Sequence, residues 1–121
     1  MAAPNVVNVA TITGKTKGVA LTTTLTADIL ENPASSGKVF KVDFLVVANI
    51  DGTSAAELTL DFYDASATTS YNIANTISVP ADGSLDVIAK PLWLEEGDKI
   101  TGGASANGDL ELVVSWTEIS Q

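Results

Sequence analysis

The chain has 121 residues, 45% of them apolar, a formal net charge of −9, and neither cysteine nor histidine. Disulfides, thiolate metal sites and any Ser–His or Cys–His nucleophile are therefore excluded. All six basic residues are lysine, and an acidic chain without arginine is a poor match for nucleic acid or for an anionic lipid surface.

At this length one core suffices, burying about two thirds of the unfolded surface, and no linker divides residues 1–121. The first residues, MAAPNVVNVATITGKTKG, lack a basic start followed by an apolar block, so no secretory leader is expected. Asn5 to Thr13 sets Val7, Val9 and Thr11 against Val6 and Ile12. This alternation predicts a strand closed by a turn at Gly14-Lys15, with residues 1–13 as an edge strand or N-terminal arm. Val19, Leu21, Thr23, Leu25, Ala27 and Ile29 share one parity, and Thr22-Thr23-Thr24 favours extended backbone through β-branching. Ala27 to Glu31 taken alone also fits one helical turn. Asn32 to Gly37 reads as a loop.

Lys38 to Ile50 is the clearest strand. Phe40, Val42, Phe44, Val46, Ala48 and Ile50 fall on one side, predicted to face the core. Val39, Lys41, Asp43, Leu45, Val47 and Asn49 fall on the other. Its extended length of roughly 40 Å is twice that of a usual strand, which predicts a bend or bulge.

After the turn at Asp51-Gly52, Ala56 to Asp64 points Leu58, Leu60 and Phe62 inward, which predicts a hairpin with the preceding strand. Tyr71 to Val79 is a further strand with an irregularity near Ala74, followed by a turn at Pro80 to Gly83. Ser84 to Ala89 and Pro91 to Leu94 are short extended pieces before the acidic turn Glu95 to Asp98. Lys99 to Ala104 and Asp109 to Ile119 flank Asn107-Gly108, the signature of a type I′ hairpin. In the last strand Leu110, Leu112, Val114 and Trp116 share the inward face. The expected fold is all-β: an antiparallel β-sandwich, jelly-roll-like, of about eight strands with little or no helix.

No catalytic, cofactor-binding or metal-ligating residue is assigned. Ser105 lacks the closing glycine and the base of a nucleophile elbow. Glu57 and Asp61 share a strand face but stand roughly 13 Å apart, too far for a glycosidase pair. The Asp51 loop fails the EF-hand pattern, and Glu95, Glu96 and Asp98 read first as solvated turn acids, with calcium as the sharper alternative. Trp93 opposes Leu92 and Leu94 in parity, so it is the exposed aromatic of its segment. With Val39, Leu45, Val47 and Val113 on outward parities, and Tyr63 as a second outward aromatic, it forms the candidate interface. A fold that covers this face with its own second sheet accounts for these residues equally well.

Five segments carry a resemblance. NVVNVATITGKT, SSGKVFKV, ANIDGTSAAELTLDFYD, TISVPADGSLDVIAKPLWLEEGDKI and the closing SWTEIS are similar to small virion structural proteins of marine tailed phages, especially cyanophages. The resemblance spans nearly the whole chain but consists of strand and turn phrases, and it transfers no catalytic residue. It implies a non-enzymatic β-domain made in the host bacterial cytoplasm and incorporated into the virion. The function expected from it is that of a head decoration or cement protein that binds the major capsid protein. It would bind copies of itself as a homo-oligomer, with a trimer among the arrangements open to it. A tail or neck component is the alternative within the virion. A carbohydrate-binding sandwich, for example a receptor-binding module using Trp93 or Tyr63 with a calcium in the acidic loop, is the alternative from another functional class.

Overall fold

The computed structural model describes residues 11–121, so the strand expected over Asn5 to Thr13 lies outside the described residues up to Ala10. The chain forms nine strands: β1 (Thr11–Ala20), β2 (Asp28–Glu31), β3 (Lys38–Asn49), β4 (Ala56–Asp64), β5 (Thr69–Val79), β6 (Ser84–Asp86), β7 (Leu92–Leu94), β8 (Lys99–Ala104) and β9 (Leu110–Ser120). There is no helix among the described residues. Sheet A runs β1-β9-β3-β6 with β7 also on β3, and sheet B runs β2-β8-β4-β5. All pairings are antiparallel: β1 with β9, β2 with β8, β3 with β6 and β7 and β4 with β5 are nested, and β3 with β9 and β4 with β8 complete the sheets. The protein is an all-β antiparallel sandwich.

Side chains from the inner faces fill the space between the sheets. Leu45, Val47, Leu58, Leu60, Leu94, Ile100, Leu110, Leu112 and Val114 are fully buried there. Phe40 and Trp116 stack at one end with ring centroids 6.3 Å apart.

The nested order corrects both hairpins expected from turn residues. β3 and β4 lie in different sheets, as do β8 and β9, so Asp51-Gly52 and Asn107-Gly108 are crossovers between sheets. Gly108 has a positive φ but Asn107 does not, so the type I′ geometry is absent. The β3–β4 crossover is fixed by Asn49. This buried side chain donates to the Ser54 and Val79 carbonyls (3.0 and 2.9 Å) and accepts from the Asp51 amide (2.9 Å). Such bonds satisfy a turn that leaves its sheet, which turn chemistry alone cannot signal. The β4–β5 connection is the hairpin, and β5 shifts register around Ala74 as expected.

Two further expectations change. The turn at Gly14-Lys15 is absent, because β1 pairs continuously with β9 from Thr11↔Ser120 to Ala20↔Glu111. The strand expected from Val19 to Ile29 is broken after Ala20, and Ala27 to Glu31 contributes β2 rather than a helical turn. The intervening backbone folds over β8. A Cβ at Gly103 would sit 2.5 Å from the Thr24 carbonyl oxygen, and one at Gly102 would sit 2.3 Å from that of Thr59. Two successive glycines let backbone approach β8 on both sides.

The expected bulge in β3 falls between Val42 and Phe44, where the register with β9 shifts by one residue at Asp43. A single inserted residue exchanges the two faces of everything beyond it. Phe40 and Val42 face the core as expected, but past Asp43 it is Leu45 and Val47 that are buried and Phe44 that is exposed. Leu45 and Val47, expected at an interface, are therefore core residues.

Candidate functional site

The candidate site is the outer face of sheet A. Register places Val39, Lys41, Phe44, Val46 and Ala48 of β3 on it, beside Ile119, Thr117, Ser115, Val113 and Glu111 of β9. β1 adds Ile12, Gly14, Thr16, Gly18 and Ala20, and β7 adds Trp93. Four large apolar side chains stand in solvent here: Ile12 (63% exposed), Trp93 (44%), Phe44 (41%) and Val113 (41%). Val39 and its register partner Ile119 are buried, yet they lie outside the inter-sheet core cluster. They form an apolar base next to Ile12.

Charge on this face is sparse and largely neutralised. Lys41 and Asp43 form an ion pair at 3.6 Å, and Asp43 also accepts from the Thr117 hydroxyl at 2.8 Å. Thr16 donates to Ser115 across the β1–β9 pair at 3.0 Å. The face is flat, because glycine, alanine, serine and threonine occupy most of the positions between the apolar groups.

Of the six residues singled out from sequence, the structure brings Trp93, Val39 and Val113 to this face. Tyr63 is on the opposite side of the molecule, on the outer face of sheet B, with the Lys99 ammonium 5.5 Å above its ring. Ile12, Phe44, Val46 and Ile119 belong to the face and escaped the sequence reading. For Phe44 and Val46 the expected bulge was the signal, since it inverts the alternation beyond it.

Asp98 and Asp51 are engaged in the fold, whereas Glu96 accepts from the Gly37 amide with one oxygen and buries the other without a hydrogen-bond partner among the described residues. Asp98 is buried and accepts from the Ala65 amide (2.9 Å) with one oxygen and the Glu95 amide (3.0 Å) with the other. Asp51 accepts from the amide and hydroxyl of Thr53, and these bonds hold its carboxyl below the usual carboxylate range. Among the described residues no three acidic side chains converge as ligands for one cation. Ser105 accepts from the Glu57 amide at 2.8 Å and so latches β8 to β4.

Glu118 is the acid placed inside the sandwich. Its carboxylate takes Lys38 at 2.9 Å, Lys15 at 3.2 Å and the Trp116 indole N–H at 3.0 Å. Burial pushes its carboxyl up, but the bonds to Lys38, Trp116 and Lys15 outweigh burial and leave the pKa below the ordinary value.

Compared with models of known protein families, the chain matches none, and a search of curated proteins finds no relative.

Proposed function

We propose that this chain is a non-enzymatic structural subunit of a phage virion, a head decoration or cement protein. It binds the major capsid protein and further copies of itself through the outer face of sheet A. One observation carries the reading: four large apolar side chains exposed on a flat, nearly neutral sheet of a chain whose net charge is −9. Several large apolar side chains exposed on one face favour an interaction site, and Trp is among the residue types enriched at the energetic centres of such sites.

The similarity to cyanophage virion proteins supports the particular setting. So does the nested strand order, which we read as a jelly roll with its sixth strand split into β6 and β7. Viral capsid proteins and lectins share that architecture. The subunit then assembles in the host bacterial cytoplasm and remains in the virion.

Quantitative gel analysis of purified particles tests the reading. A copy number comparable with that of the major capsid protein is expected, whereas a single ring's worth would move the protein to the tail or neck. Glycan binding abolished by Trp93→Ala would replace the structural reading with a receptor-binding one. A density map of the particle is expected to seat the Trp93 face against neighbouring subunits.

A further inference from the structure

On the side where edge strands β1 and β2 leave the sandwich open lies a cleft of about 950 Å³. Its volume is in the range of small-molecule sites. Phe40 and Trp116 of sheet A and Ile29 and Leu30 of sheet B give it an apolar lining. Its sheet A wall is basic, carrying Lys15 and Lys17 of β1 and Lys38 of β3.

The cations outnumber the anions on this wall. Glu118 alone serves both Lys15 and Lys38, and Lys17 has no ion-pair partner among the described residues. The acids of the opposite wall are Glu31 and Asp28, and Asp28 is held by Lys99 at 3.0 Å. Three of the chain's six lysines thus line one cleft of a molecule whose net charge is −9. Lys15 and Lys17 are two residues apart on one side of β1, which sets their side chains about 7 Å apart at the backbone. Inward lysines on an edge strand also deter another chain from pairing with it. That role requires neither the aromatic lining nor Lys38.

We infer that this cleft binds a small amphipathic carboxylate, with its apolar body against Trp116 and Phe40 and its anionic head between Lys17 and Lys15. The site lies between the sheets, so it is independent of the outer face of sheet A.

Fluorescence titration of the full chain carrying Trp93→Phe tests this, because Trp116 is then the single indole. Decanoate below its micelle-forming concentration is expected to change the emission saturably. Decanol, decyltrimethylammonium and inorganic phosphate at matched ionic strength are expected not to. Lys17→Ala is expected to leave the melting temperature unchanged and to weaken decanoate binding about tenfold, the scale of one charge-assisted hydrogen bond. Lys41→Ala, on the outer face of sheet A, is expected to bind as before. The inference is overturned by absence of a saturable response to decanoate, by an equal response to decanol or phosphate, or by undiminished binding in Lys17→Ala.

Discussion

The outer face of sheet A exposes Ile12, Phe44, Trp93 and Val113, whereas the outer face of sheet B presents Glu57, Asp61 and Lys99 around a single aromatic, Tyr63, with Thr59 and Thr101 buried. Both faces belong to antiparallel sheets covered on their inner side by the same core. On sheet B the groups answer one another: Asn72 donates to Asp61, and Lys99 pairs with Asp28 and lies over Tyr63. That surface is complete in water, and its acids keep copies apart. On sheet A the exposed rings and branched chains have no such partners within the face among the described residues. The difference separates a solvated face from one that gains by being covered.

The comparison depends on the bulge at Asp43, and breaking it there has the largest expected effect. Leu45→Ala should cost about 2–4 kcal/mol of unfolding free energy, as for other buried leucines, whereas Phe44→Ala should cost under about 1 kcal/mol. Urea denaturation of the two variants checks this, and equal losses would mean that the parity does not invert. Gly103→Ala comes next. Its Cβ would meet backbone at 2.5 Å from the Thr24 oxygen, with an expected loss of about 1–3 kcal/mol, read as a lower melting temperature.

Glu118→Gln should cost about 1 kcal/mol at neutral pH, since Lys15 and Lys38 are partly solvated and their pairing is correspondingly weak. The pH dependence has a definite sign. The folded pKa of Glu118 lies below its ordinary value of 4.5. Its contribution is therefore complete above that value and is lost as pH falls through the folded pKa. Melting curves between neutral and acidic pH should show a smaller acid-induced drop in Glu118→Gln than in the wild type.

The smallest stability effects fall on the two outer faces, where the contrast becomes functional. Trp93→Asp and Lys99→Met should each change unfolding free energy by no more than about 0.5–1 kcal/mol. Light scattering should then show that Trp93→Asp abolishes association while Lys99→Met leaves it intact.

Much of this architecture was legible in the residues themselves. Strands with unbroken alternation read correctly: Trp93 between two inward leucines, and Val113 opposite Leu112 and Val114, reached the outer face as expected. β3 did not, because one inserted residue reverses every later side chain and the sequence does not say where the insertion falls. Turns misled for a different reason. Asp51-Gly52 and Asn107-Gly108 reverse the chain as well between sheets as within one, and what decides is long-range pairing such as β9 with both β1 and β3. The threonine run at Thr22 to Thr24 has strand propensity, yet close packing over Gly103 claims its backbone. The lysine cluster was invisible in the sequence, since Lys15, Lys17 and Lys38 meet only through the β1–β9–β3 register.

Hydroxyl-radical footprinting of the isolated chain and of its assembled form tests most directly the claim that sheet A carries the working surface. Oxidation of Trp93 and Phe44 is predicted to fall sharply on assembly while that of Tyr63 is unchanged. Protection of Tyr63 with Trp93 and Phe44 still fully reactive would contradict the account.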